Sequence, residues 1–193
     1  MTDSAIVDDL ARASVVVSDL VERTAADQWT APTPCAQWNV RDLVSHLVGL
    51  NLVFVAMLDG SPVPERGTDH LGADPAEAYR RSAAALQAAA ALPGVLERSQ
   101  ATPLGVATGA ERLRWRIADL LVHGWDLGQA TGARANLPDD LVEQALTFVR
   151  ARLPGQPRTG RFDDPQPISD DAPVIDQLAA FTGRPVPWLP PTS

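Results

Sequence analysis

The sequence predicts an all-α fold, namely a four-helix bundle with long crossover connections and a short C-terminal helical extension. Apolar residues recur at helical spacing in four long segments of the chain. The connections between these segments are rich in glycine and proline, which end helices. A length of 193 residues suits one domain with a continuous core. We therefore expect a single helical domain over residues 1–193, with residues 136–193 as an extension packed on the bundle.

The first two helices are predicted from their caps and their apolar spacing. The first covers residues 2–25 and opens with three candidate N-caps at residues 2–4. A proline-rich stretch then separates it from a second helix, which Asn39 caps. Asp42 stands at the third helical position and completes the pattern of a capping box. The second helix is expected to end near Leu58.

The third and fourth helices follow long connections. Asp74 caps the third helix and Pro75 starts it, because proline suits the first helical position. Residues 96–110 show no helical period, so we expect them to cross the bundle. The fourth helix is predicted from about Ala110 to Gln129. Shorter helical patterns over residues 138–153 and 171–183 form the extension.

Composition narrows the classes of function. The formal net charge is −8 and the acidic residues are dispersed, which argues against a nucleic-acid-binding surface. Cys35 is the only cysteine, so no intrachain disulfide can form and the chain suits a reducing compartment. The N-terminal segment lacks the features of a signal peptide, and no segment approaches the roughly 18 uncharged apolar residues of a membrane span. We expect a cytoplasmic protein with no membrane partner.

Three polar side chains stand at the edges of apolar helix faces. Asp119 and His123 are four residues apart and therefore project from one side of the fourth helix. His46 has the same kind of position on the second helix, beside Leu43 and Leu47. If the two edges face one another, they form a set of two histidines and one carboxylate. Zinc and non-haem iron sites with open coordination positions use such sets.

Ordinary structural roles compete with this hypothesis. An aspartate and a histidine four residues apart form exposed ion pairs on many helices, where they contribute a few tenths of a kcal/mol. A single histidine at an apolar edge is often satisfied by a backbone carbonyl or by water. Asp42 also lies four residues from His46, but capping explains it better. His70 lies in a loop, where a histidine needs no function.

The two stretches TPCAQWNVRDLVSHLVGLN and ADLLVHGWDLGQATG resemble the signature of the DinB-like superfamily. The resemblance is to the branch of mycothiol-dependent maleylpyruvate isomerase, through its N-terminal metal-binding domain. It implies that His46, Asp119 and His123 bind a divalent metal, zinc first and nickel or iron as alternatives. The closing stretch DDAPVIDQLAAFTGRPVPW is similar to the tail of small single-domain members. Asp119 stands where the isomerase itself carries a glutamate.

The resemblance also implies a reaction. Relatives use a low-molecular-weight thiol, such as mycothiol or bacillithiol, which adds to an electrophile and leads to transfer or isomerisation. The expected partners are therefore a thiol and a small electrophilic molecule. A second copy of the chain, in a homodimer, is a further candidate partner. Arg112 and Arg116 share the polar stripe of Asp119, so either could bind an anionic cofactor or substrate, or pair with Asp119 and Asp126. We favour structural pairing for at least one of the two arginines.

Two other classes of function stay open. The chain could bind metal without catalysis, or its polar trio could set the helix register of a structural bundle that binds a protein partner. Cys35 is predicted to be structural, because no histidine is placed to activate its thiol.

Overall fold

The computed structural model describes residues 3–65, 67–102, 105–155, 158 and 162–191. Over these residues the protein is mostly helical, as predicted. The elements in chain order are α1 Asp3–Glu22, α2 Val40–Asp59, α3 Pro75–Ala90, β1 Ser99–Thr102, β2 Gly105–Thr108, α4 Gly109–Thr131, α5 Asp139–Arg152 and α6 Val174–Phe181. A short 3-10 turn, Leu153–Gly155, follows α5.

The first four helices contact one another in a ring. Helix α1 packs against α3 and α4, and α2 packs against the same two helices. Their buried leucines form a continuous core, which includes Leu43 and Leu47 on α2 and Leu113 and Leu120 on α4. Helix α5 packs on α4, and α6 packs on both, so the apolar side chains of the C-terminal part join the same core. The predicted apolar face of α4 is therefore the face that the structure buries.

Caps fix where the helices begin. The side chain of Asn39 accepts a hydrogen bond from the backbone of Asp42 at 2.9 Å, and the Asp42 carboxylate accepts one from the backbone of Asn39 at 3.1 Å. This confirms the predicted capping box of α2. Asp74 caps α3 as predicted, through Glu77 N at 3.0 Å. Of the caps predicted for α1, Thr2 and the side chains of Asp3 and Ser4 lie outside the described residues.

The connection before α4 contains a hairpin that the sequence pattern does not predict. Residues 96–110 show no helical period, and they contain an antiparallel hairpin in which Ser99 pairs with Thr108 and Thr102 with Gly105. Strands of four residues are too short to display a clear alternation of apolar and polar side chains. Gly105, which begins β2, has a φ of 103°, and glycine adopts this conformation without steric cost. Thr108 ends the hairpin and also caps α4, through Glu111 N at 3.1 Å.

Helix α2 bears on the expectation that the chain has no membrane span. Among the described residues it is long and apolar enough, by length and composition, to cross a membrane. It is not a run of uncharged apolar residues, because it contains Arg41, Asp42 and His46. Within the fold 44% of the apolar window is buried, and buried Asn51 makes hydrogen bonds there. Helix α2 is thus a helix of the protein core.

We predict that Asn39→Ala lowers the free energy of unfolding by about 1 kcal/mol, since the substitution leaves the backbone N–H of Asp42 without its acceptor. Urea unfolding followed by circular dichroism measures this. Asn39→Asp, which keeps a side-chain oxygen, is the control and should stay within a few tenths of a kcal/mol of the parent. Equal losses in both variants would show that the cap does not determine the effect.

Candidate metal centre

Helices α2 and α4 bring the three predicted side chains together. The Nε2 atom of His46 lies 3.4 Å from Oδ1 of Asp119, and Nε2 of His123 lies 3.4 Å from the same oxygen. One ligand atom from each residue lies within 4.8 Å of the others. His46 and Asp119 are half-buried, whereas His123 is buried. The trio therefore sits where the core meets solvent, with its donor atoms converging.

The spacing of the donor atoms suits a divalent ion. Ligand atoms about 2.0–2.1 Å from a tetrahedral zinc ion are roughly 3.3 Å apart from one another. The two nitrogen-to-oxygen distances of 3.4 Å match this separation. Two imidazoles and one carboxylate are also ligands that zinc accepts, and three protein ligands leave a coordination position open. The residues present thus fit such an ion.

Asp126 orients the ring of His123. Its Oδ2 lies 2.8 Å from Nδ1 of His123, so the other ring nitrogen, Nε2, faces Asp119. Asp126 is fully buried, and Arg184 donates to both of its oxygens, at 3.2 and 2.9 Å. Histidines that ligate metals commonly have such a carboxylate behind them. The position of Asp126, three residues after His123, was visible in the sequence as a signal for this role, whereas Arg184 came from a distant segment.

Arg116 orients Asp119 in a similar way. Its guanidinium is fully buried and donates to Oδ2 of Asp119, which leaves Oδ1 toward the two histidines. The same guanidinium donates to the backbone oxygen of Leu47 at 2.8 Å and to the side-chain oxygen of Asn51 at 2.7 and 3.0 Å. The expected structural pairing of one arginine with Asp119 is confirmed.

Arg112 lies elsewhere on α4. Its side chain is buried and donates to the sulfur of Met57 at 3.5 Å. Asp126, the other carboxylate considered for these arginines, is bound by Arg184 instead. Binding of a cofactor by Arg112 or Arg116 stays a prediction.

Neighbouring charges set the protonation states of the site. Burial opposes ionisation of Asp119, but His123 and Arg116 hold the pKa of its carboxyl well below the usual value. Asp126 is likewise buried, and Arg184 and His123 keep its pKa low. Burial would lower the pKa of His123, yet the two carboxylates raise it overall. Two anions thus flank one imidazole, which favours a positive charge between them.

A cavity of about 370 Å³ opens beside the trio. The ring of Trp38 covers the histidines, with its centroid 4.6 Å from that of His46 and 5.7 Å from that of His123. Cys35 also lines the cavity, and burial raises the pKa of its thiol to about 11 against the opposing charge of Arg184. The thiol is therefore protonated at neutral pH, which is in keeping with the structural role predicted for it.

Known proteins match this chain in sequence and in fold. Residues 10–128 match the sequence profile of a family described as the mycothiol maleylpyruvate isomerase N-terminal domain. Two uncharacterized proteins from strains of Mycobacterium tuberculosis, Rv0738 and MT0763, are 36% identical to the chain over 182 residues. These matches cover 91% of this chain and 95% of each relative.

Two crystal structures share the fold. They are those of mycothiol-dependent maleylpyruvate isomerase, with a TM-score of 0.60 and 14% identity, and of a variant with one histidine replaced by alanine, with a TM-score of 0.63 and 12% identity. Each match covers 77% of this chain and 70% of the other. At this identity the likeness shows the fold alone.

The metal-free protein should lose stability at both ends of the pH scale. The low pKa values of Asp119 and Asp126 stabilise the fold above about pH 4, and this contribution is lost as the pH falls through the folded pKa values. The raised pKa of His123 acts oppositely. Its contribution is complete below about pH 6.5 and is lost as the pH rises through the folded value. Urea unfolding of chelator-treated protein should therefore give a smaller free energy at about pH 9 than at about pH 6.

The His123→Asn variant is the control for the alkaline side of this profile. It removes the imidazole that titrates there, so its free energy of unfolding should change less between these two pH values. An alkaline loss as large as that of the parent would assign the effect to other groups.

Proposed function

Since this chain belongs to the mycothiol maleylpyruvate isomerase N-terminal domain family, we propose that it holds one divalent metal ion on His46, Asp119 and His123. Zinc is the first candidate for the ion, with nickel and iron as alternatives. The metal-bound protein would use mycothiol or a similar thiol in a transferase or isomerase reaction on a small electrophile. We also propose that the protein is soluble and cytoplasmic. We propose further that it forms a single domain built on a four-helix bundle, which the ring of contacts among α1–α4 supports.

The convergence of the trio carries the proposal. His46 and Asp119 are far apart in the sequence, yet the nitrogens of both histidines lie 3.4 Å from one carboxylate oxygen. A chance ion pair on a helix surface would involve one histidine, and it would need no further side chains to hydrogen-bond to its two members. Here Asp126 binds Nδ1 of His123. Arg116 binds Oδ2 of Asp119, so neither contact uses the ligand atom that faces the proposed metal position.

A bound ion of this kind acts as a Lewis acid and lowers the pKa of a coordinated thiol, so that thiolate is present at neutral pH. The protein's own residues would prepare the site for that ligand. Asp126 fixes the tautomer of His123 by accepting from its Nδ1, and Trp38 shields one side of the histidines from water. The protonated thiol of Cys35 leaves the role of nucleophile to an external thiol.

We predict that the purified protein binds one equivalent of zinc or nickel, and that His46→Ala and His123→Ala each abolish most of this affinity because each removes a ligand. Isothermal titration calorimetry with the metal alone, together with elemental analysis, measures the affinity and the stoichiometry. His70→Ala is the matched control, since His70 lies outside the trio, and it should bind as the parent does. Parent-like affinity in His123→Ala would show that the site is misassigned.

Asp126→Asn makes the same experiment more specific. This variant keeps all three proposed ligands and loses only the carboxylate behind His123. Loss of such an outer partner weakens metal binding by about 10- to 100-fold, so we expect an intermediate affinity. An unchanged affinity would contradict the orienting role of Asp126.

The second prediction from this proposal concerns the thiol. Metal-loaded protein with mycothiol, bacillithiol or glutathione should react with an α,β-unsaturated ketone faster than the thiol alone does. In that addition the sulfur bonds to the β carbon and the thiol proton ends on the α carbon, so no other reactant is needed. His46→Ala should remove the excess rate, with a circular dichroism spectrum like that of the parent.

Spectroscopy of cobalt-substituted protein tests the thiol step separately from turnover. A thiol that coordinates the ion changes the visible spectrum of cobalt. If none of the three thiols changes it, catalysis by a bound thiol is refuted, and metal binding without catalysis becomes the better description.

A further inference from the structure

The cavity beside the trio continues away from the metal-binding end along both helices. Helices α2 and α4 run antiparallel here, because His46 lies beside Asp119 while Asn51 lies beside Arg116. Leu50 and Phe54 follow His46 by one and two helical turns, which correspond to roughly 6 and 12 Å of helix. Both line the cavity. The wall on α2 is therefore apolar for two turns beyond the ligand.

The opposite wall is apolar as well. Trp115 precedes Asp119 by one turn on α4, in the same direction along the cavity. Its ring lies 6.2 Å from that of Phe162, and Val149 of α5 lines the cavity beside them. Aromatic and aliphatic side chains from three parts of the chain thus enclose this end. We call the part of the cavity lined by Leu50, Phe54, Trp115, Val149 and Phe162 the apolar slot.

Two arginines lie in the described part of the cavity wall, and both already have partners. Arg116 donates to Asp119, Asn51 and the backbone of Leu47, and its guanidinium is fully buried. Arg184 donates to both oxygens of Asp126, to the backbone of Thr182 at 3.1 Å and toward the sulfur of Cys35. To bind a carboxylate, either guanidinium would have to leave a buried ion pair, which strongly disfavours that exchange.

From these observations we propose that the apolar slot binds the apolar part of an uncharged electrophile. This part is a branched aliphatic group or an aromatic group of one or two rings. The inference rests on the proposed function, because it supplies the class of substrate for the metal and thiol site. The whole cavity, including its part at the trio, has a volume of about 370 Å³, which is within the range of pockets that enclose small ligands. Uncharged esters and ketones suit this slot, whereas a carboxylate meets no uncommitted guanidinium on its described walls.

Equilibrium dialysis of metal-free protein tests the slot with two unreactive probes, methyl naphthoate and naphthoate. The metal-free form is used because a carboxylate could otherwise bind through the ion. We expect the ester to bind at least about tenfold more tightly than the acid, since the slot favours apolar area and offers the carboxylate no uncommitted guanidinium on its described walls. Equal affinities, or tighter binding of the acid, would overturn the proposal.

Two substitutions locate the binding. Trp115→Ala should weaken binding of the ester by roughly tenfold, because it removes a large part of the contact area. Trp29→Ala, which removes a tryptophan away from this cavity, is the matched control and should bind as the parent does. Leu50→Arg, at a half-buried position, should instead favour naphthoate. Parent-like ester binding in Trp115→Ala together with an unchanged preference in Leu50→Arg would place the ligand elsewhere and refute the slot.

The outcome is separable from that of the metal experiments. If zinc binding fails while Trp115→Ala still weakens ester binding, the slot stands and the proposed metal function falls. If zinc and thiol bind as predicted but the acid is preferred, the site stands and the substrate class is wrong.

Discussion

The buried guanidinium of Arg116 is the constraint on which the candidate site depends. It ties α4 to α2 by donating to the backbone of Leu47 and the side chain of Asn51, and it holds Asp119 at the same time. A charge without solvent is costly unless its donors are satisfied, so its partners must stay close to their observed positions. The register between the two helices, and with it the approach of His46 to Asp119, follows from this set of bonds.

The same logic extends along one face of α4. Arg116, Asp119, His123 and Asp126 are spaced by three, four and three residues, which places them in a row. Each carboxylate in this row has a cationic partner, Arg116 for Asp119 and Arg184 for Asp126, and His123 lies between the two anions. Opposite charges alternate, so a buried row of ionisable groups becomes tolerable inside an otherwise apolar core. The arrangement also leaves one nitrogen of His123 and one oxygen of Asp119 facing the proposed metal position.

Local rules explain how much of this could be read from the sequence. The caps Asn39 and Asp74 and the apolar faces of the helices depend on residues a few positions apart, and the structure has them as predicted. The convergence of His46 with Asp119 required only that two edges of apolar faces meet. Arg184 could not be found in this way, because it follows the end of α6, where no helical period assigns a side chain to a face. The hairpin before α4 could not be predicted for a different reason. Its strands of four residues are too short to show the alternation of apolar and polar side chains that indicates a strand.

The division of the site between parts of the chain bears on its specificity. The three candidate ligands and Asp126 all lie within residues 10–128, the part that matches the family profile. Most of the cavity lining lies there too, whereas Val149, Phe162 and Arg184 lie beyond it. A change at Val149 or Phe162 alters the wall of the slot while α2 and α4 still carry the three candidate ligands, whereas a change at Arg184 also reaches His123 through Asp126. Part of the cavity wall can therefore change independently of the three candidate ligands, so one ligand set can accompany different walls.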